Sequence, residues 1–380
     1  MSSIERLQSF LATDPSNPEL LCELADAMFA IADYTGAQAV LMGAPAAIQA
    51  SLGIRFRLAR YALIHGDYAA AEAGFKRLTQ DGHANPALWH DLAFSQLCQL
   101  DTGGARATLE AAVARSGDTP ELAVLRARVA LRDQDYASAE LALGQALTAD
   151  SQHPVALGLR ALASLDKGDT SAAEAYAKDC LTLHPDQHEA LLVAGTAALW
   201  RRELGPAGAA FERVLARHPN SGRALSGFGQ LQMLREQLEP ARATLERAVA
   251  AMPDHIGTWH ALAWAQLMLG DTNAAEASYR CAYELDRNFA ESHGGLGLIA
   301  ALAGRSDEAD AAIKRALRLD PSCITARYAR SLQLEDVGEH AEAERLLSEL
   351  LAQGALPSGV GNVREFSRRL RARLGASSRA

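Results

Sequence analysis

The chain has 380 residues, 49% of them hydrophobic but only 6% aromatic, so its packing rests on Ala and Leu rather than on large rings. A formal net charge of −9 argues against a general nucleic-acid binder, because phosphate contacts need a basic surface. Thirty-three arginines against four lysines point to a GC-rich, bacterial genome and say nothing of chemistry.

The amino terminus, MSSIERLQSFLATDPSNPEL, carries Glu5 and Arg6 and no apolar run long enough for a signal peptide or a membrane span. A cytoplasmic protein is expected. Ile4, Leu7, Phe10 and Leu11 form one helical stripe that Asp14-Pro15 ends. From residue 18 the chain repeats itself, and the unit from Ile256 shows how. Trp259, Leu262 and Ala263 make an apolar helical face, Gly270-Asp271 interrupts it, and Ala275, Tyr279 and Ala282 make a second face. Gly accepts backbone angles that other residues resist, and Asp can cap the free N–H groups of the next helix. Each unit is therefore a helical hairpin whose two stripes bury each other.

Steps of 34 residues from Ala275 reach Ala37, Ala71, Ala105, Ala139, Ala173, Ala207, Ala241, Ala309 and Ala343. The same steps from Ala263 reach Ala25, Ala59, Ala93, Ala127, Ala161, Gly195, Gly229, Gly297 and Ser331, all small. Small residues are needed where two helix axes cross closely. From Tyr279 they reach Leu41, Phe75, Leu109, Leu143, Phe211, Leu245, Ile313 and Leu347, large side chains for the space beside them, and only Ala177 breaks that series. Residues 18–357 thus hold ten units in uninterrupted register, and residues 1–17 read as a half-repeat that caps the first. Although ~150 residues per domain would divide such a length into two or three domains, a solenoid grows by adding units.

These residues resemble the tetratricopeptide repeat family, whose 34-residue motif sets Trp, Leu, Gly, Tyr, Ala, Phe, Ala and Pro at fixed positions. Trp259, Leu262, Ala275 and Ala282 match it, with Ala263 for the Gly and Tyr279 for the Phe. Gln266 and Arg287 stand where Tyr and Pro would be, while Pro185, Pro219, Pro253 and Pro321 do fill the proline position. The resemblance implies an all-α fold, a right-handed α-solenoid superhelix of ten helix-turn-helix repeats with terminal capping helices.

Sites of chemistry are sparse. Cys22, Cys98, Cys180, Cys281 and Cys323 show neither CxxC spacing nor a pairing pattern, and Cys180 reads as packing. His184 and His188 are four apart, but Pro185 between them keeps them off a shared helix face, so no metal is expected. HExxH, GxGxxG, GxSxG and a phosphate loop are all missing from the sequence. No enzyme and no cofactor are expected.

In the family, the first helix of each unit lines a concave groove through its second, fifth, sixth, ninth, twelfth and thirteenth places. Counted from residue 18, the first half of that groove receives Glu19, Glu23 and Asp26, then Arg57 and Arg60, then His90, Asp91 and Phe94, then Arg128 and Arg132, with Phe29 and Phe56. The second half receives Leu159, Leu162, Leu192, Val193, Trp200, Gln230, Met233, Trp264, Met268 and Leu298. With no facing helix, these are expected as partly exposed apolar surface for a peptide. Gly158, Gly227, Gly257, Gly294 and Gly295 fall on groove places too; they admit either a ligand backbone or a neighbouring helix.

The carboxylate clamp of the family's co-chaperones and the Asn ladder of its glycosyltransferases do not match. The sixth place instead holds Glu23, Arg57, Asp91, Leu125, Leu159, Val193, Gly227, Ala261, Gly295 and Ala329. An electrostatic hold on an acidic segment by Arg57, Arg60, Arg128 and Arg132 remains open beside solvation or pairing of those arginines. At the seventh place, usually Leu, three units carry Arg126, Arg160 and Arg330, read as paired structural arginines.

Residues 355–362, ALPSGVGN, form a linker, and Val363, Phe366, Leu370 and Leu374 then make the stripe of a capping helix within residues 358–380. Arg364, Arg368, Arg369, Arg371, Arg373 and Arg379 against Glu365 give residues 361–380 a net +5, read as the solvated face of that cap. The expected function is a non-catalytic adaptor or chaperone-like scaffold that holds an apolar or amphipathic segment of a partner protein in its groove. The alternative is a scaffold that self-associates into a larger assembly.

Overall fold

The computed structural model describes residues 3–83 and 85–352. Among them every regular element is a helix, and none is long and apolar enough to cross a membrane. The linker and the basic carboxy-terminal segment with Val363, Phe366, Leu370 and Leu374 lie outside the described residues. The helices form a solenoid of hairpins that falls into two compact units, Met1–Ala190 and Leu191–Ala380.

In the first unit α1 (Ser3–Thr13) packs on α2 (Pro18–Ala30), which pairs with α3 (Tyr34–Met42). A short α4 (Ala46–Gln49) follows, then the pairs α5 (Leu52–Ile64) and α6 (Tyr68–Gln80), α7 (Pro86–Cys98) and α8 (Thr102–Ser116), α9 (Pro120–Arg132) and α10 (Tyr136–Ala149), α11 (Pro154–Asp166) and α12 (Thr170–Leu183). Helix α4 departs from the regular hairpin, because Pro45 has no N–H to continue α3. The second unit begins within α13 (His188–Trp200), at Leu191, and holds α14 (Leu204–Arg217), α15 (Gly222–Leu234) and α16 (Leu238–Ala251), α17 (Ile256–Leu269) and α18 (Thr272–Leu285), α19 (Ala290–Leu302) and α20 (Ser306–Leu319), α21 (Ile324–Asp336) and α22 (His340–Ala352). Within each unit a helix packs on its hairpin partner and on a neighbouring hairpin, as α17 does on α18 and on the preceding α16.

Small and large residues interlock where each hairpin crosses. The alanines in register with Ala275 are all buried, and Ala25, Ala93, Ala127, Ala161 and Ala263 are fully so. A Cβ added at Gly195 would come within 2.8 Å of Phe211, one at Gly229 within 2.6 Å of Leu245, and one at Gly297 within 2.9 Å of Ile313. The axes therefore approach as closely as the large partner allows.

The hairpin turn repeats as well. Its fifteenth residue is left-handed in every unit, with glycine at Gly66, Gly168, Gly270, Gly304 and Gly338 but Ala32, Leu100, Gln134, Arg202 and Glu236 in the others. The next residue caps the second helix: Asp33, Asp67, Asp101, Asp135, Asp169 and Asp271 each accept from the N–H three residues on. Glu203, Gln237 and Arg305 stand at the same place without a side-chain cap.

A left-handed residue with a Cβ is strained by roughly 1–2 kcal/mol. Glu236, at φ 60, is exposed, so Glu236→Gly should raise the thermal midpoint by about 1 kcal/mol equivalent, whereas Glu236→Ala should not. Equal midpoints for the two variants would show that the turn carries no such strain.

Candidate functional site

On the first helices of the first unit, the charges that the sequence set in the groove are paired along the solenoid. Arg57 on α5 binds Asp26 on α2 through two contacts, Nε to Oδ1 at 2.8 Å and Nη2 to Oδ2, and also donates to Gly53 O. Arg60 lies 3.2 Å from Asp91 on α7, and His90 closes on the same carboxylate at 3.1 Å while stacking on Phe94. Arg60 also covers the Phe56 ring at 5.8 Å. Arg128 on α9 donates to Glu189 Oε1 at 2.6 Å. Arg57, Arg60 and Arg128 thus hold carboxylates of their own chain, the pairing that the sequence left open beside a grip on an acidic segment.

Glu189 sits at a groove place, yet sequence reasoning passed over it. It is buried. Burial pushes its carboxyl up, but the hydrogen bond with His188, the Arg128 charge and its own backbone N–H together hold it down at about 2. Gln187 Nε2 also donates to it at 2.5 Å, while Gln187 Oε1 accepts from Ala190 N at 2.7 Å. The signal in the sequence was an acid flanked by the apolar run Ala190 to Ala194.

The apolar half is only partly a surface. Leu159 and Leu162 in the first unit are buried, as are Leu192, Val193 and Leu298 in the second. They do face helices: Leu298, for example, joins a cluster with Tyr279, Tyr328 and Leu332. Trp200 is 58% exposed and Gln230 is exposed, while Met233, Trp264 and Met268 are half-buried. Trp264 packs on the same cluster as Leu298, and Met233 packs against Leu245 and Leu262. At the thirteenth place of successive hairpins, Trp200, Leu234, Met268 and Leu302 all keep some exposure. Leu234 and Leu302 were missed, although the 34-residue step from Trp200 finds them.

Most of the glycines serve neighbours. A Cβ at Gly158 would lie 2.0 Å from the Gln187 amide, one at Gly227 2.3 Å from Phe211, and one at Gly295 2.1 Å from Tyr279. Gly294 faces Ala326 N at 2.9 Å and Cys323 at 3.0 Å, and only Gly257 is loosely bounded, by His255 at 3.2 Å. Tyr279 is buried, and its hydroxyl has no hydrogen-bond partner among the described residues.

Beside it, the His260 ring lies 5.5 Å from both Tyr279 and Phe289, with Nε2 2.9 Å from Ser292 Oγ. Burial lowers its pKa to about 4, against a weaker upward pull from Glu291, so the ring is neutral. The seventh-place arginines have partners: Arg126 binds Asp118 and Gln145, Arg160 covers Tyr176 at 4.4 Å, and Arg330 lies 3.2 Å from Gln333 and 3.6 Å from Asp310. All five cysteines are free, and burial pushes the Cys180 thiol up to about 11, the state of a packing residue. His184 Nε2 lies 2.7 Å from Gln152 O, while His188 turns to Glu189 at 3.8 Å.

Two family models, both of the Tetratricopeptide repeat, match the chain, one over residues 203–265 and the other over 91–154 and 260–322. Among curated proteins no sequence matches. Among solved structures, an IFIT1 monomeric mutant with m7Gppp-AAAA is similar at TM-score 0.56 and 16% identity, over 94% of this chain and 90% of that one. The human IFIT1 dimer with m7Gppp-AAAA is similar at TM-score 0.53 and 16% identity, over 90% and 91%. PilW, a widely conserved type IV pilus biogenesis factor, gives TM-score 0.43 and 21% identity over 53% of this chain and 94% of its own. At such identities the IFIT1 likeness shows the fold alone.

Two outcomes follow from this geometry. Gly295→Ala should destabilise by roughly 1–3 kcal/mol through overpacking on Tyr279, while Gly257→Ala should not, as read from thermal midpoints; equal effects would return Gly295 to a ligand-facing role. Because the folded His260 takes up its proton only near 4 and the unfolded one near 6.5, stability should be complete above 6.5 and fall as pH drops from 6.5 towards 4. His260→Gln should flatten the midpoint in that window, and an unchanged slope would place the dependence elsewhere.

Proposed function

The chain is a tetratricopeptide repeat protein, and from that premise we propose that it is a non-catalytic interaction scaffold that binds an apolar or amphipathic segment of a partner protein. What supports this reading is Trp200, a tryptophan 58% exposed on a helix whose leucines and valine are all buried. Leu234, Met268 and Leu302 extend it at the same place in the following hairpins. A large exposed aromatic beside flexible methionine is the composition of a binding hot spot, and an amphipathic helix could lay its apolar face along such a row. The charged helix faces of the first unit are the weaker candidate, since a ligand there would compete with Asp26, Asp91 and Glu189 for the same arginines.

Trp200→Ala combined with Met268→Ala in the intact chain should lose its partner in a pull-down from lysate, with unchanged circular dichroism. The affinity should drop by roughly 2 kcal/mol or more, about thirtyfold. If the same proteins come down with the variant and the wild type alike, the apolar row is not the binding surface.

A further inference from the structure

Because the hairpins repeat, each outward place on a second helix can be compared with its own equivalents, and α10 stands apart. Steps of 34 residues from Leu141 give Ala107 and Ala73 before it and Ala175 and Ala209 after it; alanine holds this place in eight of ten units. Gly144 stands where Lys76, Glu110, Lys178 and Glu212 do, and seven of ten units carry a charge there. Both departures fall on one open face of α10, which also carries Ala137, Glu140, Gln145 and Thr148. Leu141 is 67% exposed. A Cβ added at Gly144 would meet nothing within 4 Å. An outward face that loses a charge and gains a leucine is one suited to being covered.

We propose that a second copy of this chain covers it, α10 packing antiparallel on α10 about a two-fold axis. In such an isologous contact each residue meets its counterpart through the axis. With the axis between Leu141 and Gly144, Leu141 of one copy seats over the Gly144 notch of the other, and Ala137 meets Thr148, so small residues let the helices approach. Glu140 then faces Gln145. That last pair is prepared within each chain: Arg126 Nη2 donates to Gln145 Oε1 at 2.9 Å, which leaves the amide N–H groups of Gln145 as donors for the carboxylate of the other copy. A parallel arrangement would instead set Glu140 against Glu140 and Leu141 against Leu141. This inference stands apart from the apolar row of the second unit.

Light scattering on the full chain tests it, in reductant because Cys281 is exposed and free. The wild type should rise with concentration to twice 40.4 kDa, and Leu141→Arg should stay at the monomer mass throughout with unchanged circular dichroism. Arg345 occupies the same place in the last unit, so an arginine there is compatible with the hairpin. Leu100→Arg, at another exposed leucine away from this face (60%), should dimerise as the wild type does. A wild type that is monomeric at every concentration overturns the proposal, even if the face then binds another protein. So does a Leu141→Arg variant that dimerises like the wild type.

Discussion

How closely the two helices of one hairpin can cross is the constraint on which the rest of this chain depends. The first helix offers Ala, Gly or Ser at the crossing, and the second offers an alanine in every unit, beside one large side chain in all but the unit of Ala177. Where the first helix gives up its last carbon, at Gly195, Gly229 and Gly297, the opposing residue is Phe211, Leu245 or Ile313, and each sits within 3 Å of the missing Cβ. The large residue varies from Leu to Phe and Tyr, but the residue it meets on the first helix is always small, so the crossing stays close-packed. Constant separation keeps the register at 34 residues, so equivalent places recur and can be compared.

The same packing decides where a binding surface can be. Phe211 and Tyr279 are long enough to reach past their own hairpin and press on Gly227 and Gly295 of the next. Groove glycines of this kind are therefore footholds for aromatic rings of the solenoid, and the leucines around them are core. The thirteenth place escapes because it lies at the end of the first helix, beside the turn. There the left-handed residue and its cap turn the chain away, and a side chain as large as Trp200 keeps most of its exposure.

Much of the fold was legible because its determinants are periodic: alanine recurs without exception at one place, and Gly-Asp marks the bend in three hairpins, at Gly66-Asp67, Gly168-Asp169 and Gly270-Asp271. The exceptions were legible less well. Five of the ten left-handed turn residues are not glycine, and a capping carboxylate follows three of them, at Asp33, Asp101 and Asp135, so glycine alone does not define the turn. The candidate site was legible in its places but not in its exposure. A place number fixes the direction of a side chain from the helix axis; whether Leu298 or Trp200 sees solvent depends on what the neighbouring hairpins carry, which no single unit records. The pairing of Arg57 with Asp26 and of Arg60 with Asp91 had a signal, opposite charges about one repeat apart at adjacent groove places. That of Arg128 with Glu189 spans nearly two repeats and had none.

The charge pairs differ in what they can give up. Arg57–Asp26 and Arg60–Asp91 each join a well-exposed partner, with side-chain exposures of 54% for Asp26 and 54% for Arg60. Such pairs contribute about 0–1 kcal/mol, so their effect is to cancel the field of the first unit's helix faces more than to hold the hairpins together. Glu189 is different, with a side chain only 6% exposed. Its carboxylate stays ionised because Arg128, His188 and Gln187 surround it, and removing one partner from a buried charge costs roughly 3–5 kcal/mol. Arg128 therefore could not turn to a ligand without taking the arginine charge from that buried carboxylate and leaving it to His188 and Gln187. Of the arginines on these faces, it is the one most firmly committed to the fold.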